Sequence, residues 1–465
     1  MRKSIRLTLL ATALASALPL MAHAEDLVQI YTEARASDPT LALADANKGA
    51  TEEGVPQARA ALLPQIGASL SYNHSDGGTN SVGPVQDVNT GNYVLLPSTS
   101  TSRDRSRPAQ ATLSQSLFNW TNWTRLASAR ETAASADRNY DAASQDLFVR
   151  TATAYFGVLT AQDALAFAQA NEKALARQLD QAEQRFEVGL SAITDVHNAR
   201  ANHDSSVAQV ILSQNSVDTA REALVQIIGK DFGELKKLRE ALPLEKPTPT
   251  SLQEWVDIAL KENPALSSSQ HLVEAAEHDI GTARGGHLPT LSASIVRTDT
   301  PAWGTSAQSF AGDAFGPFHG NSVTGNTTIG ITLNVPIFTG GLVSSQVRQA
   351  IFLRDAAQDR AELQRRSVVA NTRNAYRTVL AGISEVEATK QAVVSAQSSL
   401  DATQAGFEVG TRTIVEVLQI QEQLFQAQSN YSQARHQFVL SGLQLKQAAG
   451  TISGKDIEAV NALLE

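Results

Sequence analysis

The groups able to do chemistry in this 465-residue chain are few and scattered. It contains no cysteine, which excludes disulfides, thiolate metal sites, a thiol nucleophile and a lipidated cysteine anchor. It has no GxxxxGK[ST] loop to cradle phosphate, no HExxH pair to hold zinc and no GxSxG nucleophile elbow. Among the nine histidines, His271 and His278 lie seven apart on a predicted helix and could share a face. A packed or solvated role is expected of them rather than metal ligation. No catalytic residue, metal or cofactor is expected, so energy for any work must come from partners. Two other segments stand out: Val188-Gly189-Leu190, running on to Thr194 and Asp195, and Val409-Gly410-Thr411, running on to Arg412 and Glu416. A glycine between two long helical patterns suits a turn that needs positive φ, or one that another backbone approaches closely. Thr194 or Asp195 would then cap the returning helix.

These two segments occupy equivalent places in a duplicated chain. At an offset of 220 to 225 residues, Asp38-Pro39 matches Asn263-Pro264, Leu63-Pro64 matches Leu288-Pro289, and Ala154-Tyr155 matches Ala375-Tyr376. Phe186-Glu187-Val188-Gly189 likewise matches Phe407-Glu408-Val409-Gly410. The expected division is a repeat over 25–245 and a second over 246–465, each with a helix, two strands and a helical hairpin. The hairpins are expected over 123–229 and 342–450. Their first helices carry apolar residues at 3-4 spacing, from Val158 through Leu175 to Phe186 and from Val379 through Leu400 to Phe407. Each could reach about 90 Å at 1.5 Å per residue. Period-2 alternation predicts strands at about 65–74, 107–118, 290–298 and 327–338; Ile329, Ile331, Leu333, Val335 and Ile337 are the cleanest case. The Gly-, Ser- and Thr-rich stretches between them, 73–108 and 297–326, read as solvent loops.

Residues 1–24 read as an export leader: Arg2, Lys3 and Arg6, an apolar run to Met21, and the small-x-small site Ala22-His23-Ala24. Beyond them no run of 18 apolar residues exists to make a transmembrane helix. The net charge is −9, and three units more negative without the leader, which disfavours nucleic acid as a partner. Four strands cannot close a barrel, and lipid does not tolerate an open sheet edge. Two chains would supply 8 strands and three would supply 12. An 8-stranded barrel is filled by its own side chains, which favours three. The alternative is a soluble β-domain on a periplasmic coiled-coil spacer without a pore.

Several long strings carry a resemblance: Thr151–Phe156 (TATAYF), Arg185–Arg200 (RFEVGLSAITDVHNAR), Gly286–Leu291 (GHLPTL), Gln391–Ala402 (QAVVSAQSSLDA) and Val409–Leu418 (VGTRTIVEVL). Over nearly the whole mature length the chain resembles the TolC family of outer-membrane efflux proteins. The resemblance implies a mainly α fold with a small β part. Long antiparallel hairpins would form a trimeric α-barrel in the periplasm, and four strands per chain would join a 12-stranded transmembrane β-barrel. It implies a partly irregular belt at Lys230 to Thr250 and in the C-terminal segment. It implies a passive exit duct in the outer membrane for drug efflux or type I secretion, working as a homotrimer. Its implied partners are a periplasmic adaptor, an inner-membrane RND, ABC or MFS transporter, and outer-membrane lipid. Val188, Gly189, Leu190, Val409, Gly410 and Thr411 would dock the adaptor. Gln178, Thr194, Asp195 and Arg412 would latch the periplasmic end shut. The chain departs from the family pattern at two places. Phe407 stands where the best-known relatives have a tyrosine latch, and a phenyl ring donates no hydrogen bond, so core packing is its expected role. Glu416 and Gln419 stand where those relatives carry two aspartate rings in the bore, so a weaker latch and weaker cation preference are expected.

Overall fold

The computed structural model describes residues 24–87 and 90–465. The leader expected over 1–24 therefore lies, except for Ala24, outside the described residues. Two compact units share the chain, and each takes segments from both halves. One comprises residues up to Gly49 with Ser135–Gln270 and Asp359–Glu465; the other comprises Ala50–Ala134 and His271–Gln358.

The elements run α1 (Leu27–Ser37), α2 (Pro39–Glu52), α3 (Gly54–Ala60), β1 (Gln65–Leu70), β2 (Asn73–Gln86), β3 (Tyr93–Ser106), β4 (Ala109–Phe118), α4 (Trp120–Glu187) and α5 (Ile193–Ile228). They continue α6 (Leu252–Glu262), α7 (Pro264–Gly285), β5 (Thr290–Phe310), β6 (Asp313–Asn334), α8 (Leu342–Glu408), α9 (Ile414–Ala448) and α10 (Gly454–Asn461). The long helices α4 and α8 contain 68 and 67 residues, and their return helices α5 and α9 contain 36 and 35.

All six strands lie in the second unit and form one antiparallel sheet. β1 and β2, separated only by Ser71 and Tyr72, form one edge; β4 and β3 pair with them and then with β5, and β6 forms the other edge. The four predicted strands are the helix-proximal parts of these lines. The expected solvent loops 73–108 and 297–326 are instead mostly strand: β2 and β3 make a hairpin, and β5 and β6 run on to a two-residue turn. That turn, Ala311-Gly312, has positive φ at both residues, the form that suits the twist of a tight hairpin. The extensions escape sequence reading because Ser, Thr and Gly alternate with their own kind on both faces. Backbone ladders hold such strands without a hydrophobic period.

Register puts Ile66, Leu113, Ile295 and Ile329 in one cross-strand row, and Ala293 beside Ile331 and Leu291 beside Leu333 on the same face. The opposite face carries Ser292, Ser294, Thr328, Gly330 and Thr332. Much of the apolar face is exposed: Ile66, Ile329, Ile331 and Leu333 are 83, 74, 70 and 63% exposed.

The first unit holds the helical cores. The largest surrounds Tyr155 and Phe156 of α4, with Leu27, Ile30 and Ala34 of α1, Leu224 of α5 and Ile457 of α10. Residues 230–250 form no helix, yet Phe232, Leu235 and Leu238 are buried in that core. The Tyr155 hydroxyl donates to the Lys236 carbonyl at 2.8 Å and contacts that of Glu25 at 3.2 Å, which pins this irregular stretch to α4. A second core joins Trp255 and Ala259 of α6 to Val368, Tyr376 and Val379 of α8, Leu445 of α9 and Ala449 just past its end.

Candidate gate and docking turns

The turns after α4 and α8 are built alike. Gly189 takes φ +75° and Gly410 takes φ +79°. The Gly189 N–H donates to the Phe186 carbonyl at 2.9 Å, and the Leu190 N–H to the Arg185 carbonyl at 2.8 Å. In the second turn Gly410 donates to Phe407 at 3.1 Å and Thr411 to Gly406 at 2.8 Å. Each pair closes a helix end whose last carbonyls would otherwise lack donors, and the left-handed residue it requires is cheapest as glycine. A Cβ at either glycine would meet no atom within 4 Å. The flanking side chains are apolar and exposed: Val188, Leu190 and Val409 are 69, 72 and 75% exposed. Thr411 is exposed too.

The returning helices start differently. Thr413 caps α9 and, with Glu416, makes a complete capping box in which side chain and backbone satisfy each other. Arg412 Nη1 donates to Glu416 Oε2 at 2.8 Å. The guanidinium first, and then the Thr413 hydroxyl, hold the Glu416 carboxyl below the usual carboxylate range. The capping expectation for α5 is corrected: the cap is Ala192, and Thr194 and Asp195 lie inside the first turn. Alanine offers no side-chain acceptor. Asp195, three residues on, instead accepts from the Ser191 hydroxyl at 3.2 Å and the Ala192 N–H at 3.4 Å. Thr194 is exposed.

Within one chain, then, Arg412 pairs inside its own turn and Asp195 inside its own. Gln178 is buried in the first unit, on a cavity of about 540 Å³ that Phe407, Leu400 and Gln421 also line. Among the described residues its Oε1 has no hydrogen-bond partner, and neither has the nearby buried Oδ1 of Asn171. Gln419 is exposed and Glu416 half-buried. Phe407 packs beside the cluster of Leu175, Leu400, Ile414 and Val417, whereas its counterpart Phe186 is 42% exposed. Sequence reading missed Arg185, whose guanidinium lies 4.7 Å from the centre of the Phe407 ring. The only signal was a cation in the last turn of a helix, which its dipole explains without a partner. Arg200 and Glu183 also join α5 to α4 at 2.7 Å.

The arrangement of paired turns, charge-assisted links and exposed apolar tips suits reversible contact between helix ends. The sequence profile of the outer membrane efflux protein family matches residues 30–230 and again 255–451. The chain belongs to the outer membrane efflux protein family. It is 38% identical to outer membrane protein TolC of Escherichia coli (strain K12), over 96% of this chain and 86% of that one. It is 27% identical to the alkaline protease secretion protein AprF of Pseudomonas aeruginosa, over 95% and 88% respectively. Its fold is that of the solved outer membrane protein VceC of Vibrio cholerae, with a TM-score of 0.70, 19% identity, and 91% of this chain and 96% of that one covered. Family membership places the protein in the outer membrane as an efflux or secretion channel, mainly α with a smaller β part.

Proposed function

We propose that this channel is a homotrimeric exit duct, shut at its periplasmic end by the α4–α5 and α8–α9 turns and opened when an adaptor docks on them. The observation that carries the duct is the sheet: two free edges, and an apolar face with exposed residues on β1, β5 and β6. Free edges in lipid need partners, and strands from three copies would give a closed 12-stranded barrel wide enough to conduct. In this reading residues 1–24 are a removed leader and the halves 25–245 and 246–465 are repeats that supply equivalent hairpins. The adaptor would contact Val188, Gly189, Leu190, Val409, Gly410 and Thr411, whose apolar exposure and open glycines leave room for an incoming helix tip.

The latch would act between copies. Arg412 would exchange Glu416 for Asp195 and Thr194 of a neighbouring hairpin, with Gln178 behind them. Because Phe407 cannot donate a hydrogen bond, that side of the latch rests on packing and on Arg185. Glu416 would supply one acidic ring in the bore, and Gln419 a neutral one. The test is single-channel recording in planar bilayers: Arg412→Ser should conduct more than the wild type, and an unchanged conductance would remove Arg412 from the latch.

Partners on the inner-membrane side would be an adaptor with an RND, ABC or MFS transporter. One relative is named for protease secretion and another, BepC of Brucella suis, for efflux, so both cargo classes are carried forward. Deleting the gene separates them: drug hypersensitivity assigns efflux, and loss of a secreted protein assigns type I secretion.

A further inference from the structure

Helix α7 carries His271, Glu274 and His278 at positions i, i+3 and i+7, within one narrow sector of its surface. In the sheet-bearing unit α4 brings Glu131 against them. His271 Nδ1 lies 2.8 Å from Glu131 Oε2 and 3.9 Å from Glu274 Oε2. One donor atom from each of these three residues falls within 4.8 Å of the other two. Two carboxylates thus meet at a single imidazole.

The framework beneath the cluster is tightly set. Where α4 and α7 meet, a Cβ at Gly281 would lie 3.0 Å from Thr124, and one at Gly285 would lie 2.4 Å from the Thr121 hydroxyl and 3.0 Å from its backbone nitrogen. Thr282 donates to Thr124 at 2.8 Å across the same contact. These two helices cannot slide without breaking that packing, so the donors are held on fixed elements.

We propose that Glu131, His271 and Glu274 bind one divalent transition ion of the zinc class per chain. Two carboxylates neutralise a 2+ ion, and one imidazole favours zinc, nickel or cobalt over calcium or magnesium, which prefer all-oxygen sets. Ligand atoms about 2.0–2.2 Å from a tetrahedral zinc stand about 3.4 Å from one another, so the His271–Glu131 pair must open from 2.8 Å and Glu274 must close on His271 from 3.9 Å, both by rotamer adjustment. Glu274 is 60% exposed on its side chain, which leaves the remaining coordination positions to water. The ion would staple α4 to α7.

The test uses the full chain purified as its assembled oligomer in detergent, stripped with chelator and titrated with Zn²⁺ alone by calorimetry. One ion per chain is expected, undisplaced by millimolar Ca²⁺ or Mg²⁺. His271→Gln and Glu131→Gln should each weaken binding at least about tenfold, with oligomer migration unchanged. Co²⁺ in the same site should give visible absorption bands that Zn²⁺ abolishes. If either variant fails to assemble, Glu274→Gln at the exposed ligand carries the comparison. Absence of saturable binding, affinity unchanged in the variants, or displacement by Ca²⁺ would each overturn the assignment.

Discussion

The Arg185–Phe407 contact replaces with a cation and a ring what a tyrosine would do with a hydroxyl. Sequence showed that Phe407 lacks a donor; it could not show Arg185 above it, because that depends on how two helices 222 residues apart are packed. A cation over a ring is worth about 0.5–1 kcal/mol when exposed and about 2 when desolvated. Arg185→Ala and Phe407→Ala should each raise the open probability of single channels, and the double variant should raise it by less than the two effects combined. Full additivity would mean that the two side chains act independently. A second residue-scale prediction concerns His436. It is buried on α9, with Nδ1 2.7 Å from the Thr160 hydroxyl and its ring beside Phe156. Burial, which excludes the charged form, is the main cause of a pKa pushed down from 6.5 to about 4; Arg435 adds to the shift and Asp163 opposes it. The unfolded chain therefore takes up a proton between those two values that the folded chain refuses. The contribution to stability is whole above pH 6.5 and falls as the pH drops toward 4. Melting curves of wild type and His436→Gln should diverge across that window and run parallel above it. Parallel curves throughout would place the acid sensitivity in other groups.

At the scale of elements, the long helices were readable because one unbroken 3-4 stripe without proline has a single physical solution, an extended helix with a partner. The outer strands were not readable, since their Ser, Thr, Gly and Pro residues give no hydrophobic period and signal a loop. The cap of α5 was misplaced for a related reason: Ala192 has no capping side chain, and the chain there relies on Ser191 and Asp195. The turn glycines separate into two physical kinds. Gly450, at φ +76°, has the Asn263 Cα 2.5 Å and the Glu262 carbonyl 2.6 Å from where a Cβ would stand, so strain and collision coincide. Gly189 and Gly410 have the strained φ but open space. Asparagine tolerates left-handed backbone better than most residues. Gly189→Asn and Gly410→Asn should therefore assemble with melting temperatures close to wild type, whereas Gly450→Ala should lose folded oligomer. If the two Asn variants assemble but no longer crosslink to an adaptor, these glycines serve close approach. If they still crosslink, they serve the turn alone.

For the whole molecule, the decisive asymmetry is between the two faces of the sheet. The apolar run on the edge line extends from Ile329 through Leu333 within β6 and on through Val335 and Ile337 beyond the strand's last residue, Asn334. It ends where Arg297 and Asp299 pair at 2.5 Å opposite Thr327 and Gly325, so the band has a charged border. Tyr72 and Trp303 lie tilted beside each other beyond that border, ring centres 6.4 Å apart, and Phe118, Trp120, Trp123 and Phe338 are exposed near the other end, as the aromatic girdles of outer-membrane barrels are. The polar remainder of β6, from Asp313 to Asn326, is too long and too hydrophilic to lie in the same band. A charge introduced in mid-band should thus be tolerated on one face only. Ile331→Arg points to lipid and should cost about 2–4 kcal/mol near the bilayer centre. Thr332→Arg, one residue on, points to the opposite face and should cost little while altering conductance. Urea titration of folding into lipid vesicles, read with the heat-modifiable migration of the oligomer, measures both. Equal destabilisation, or the reverse order, would mean that the exposed apolar face does not meet lipid.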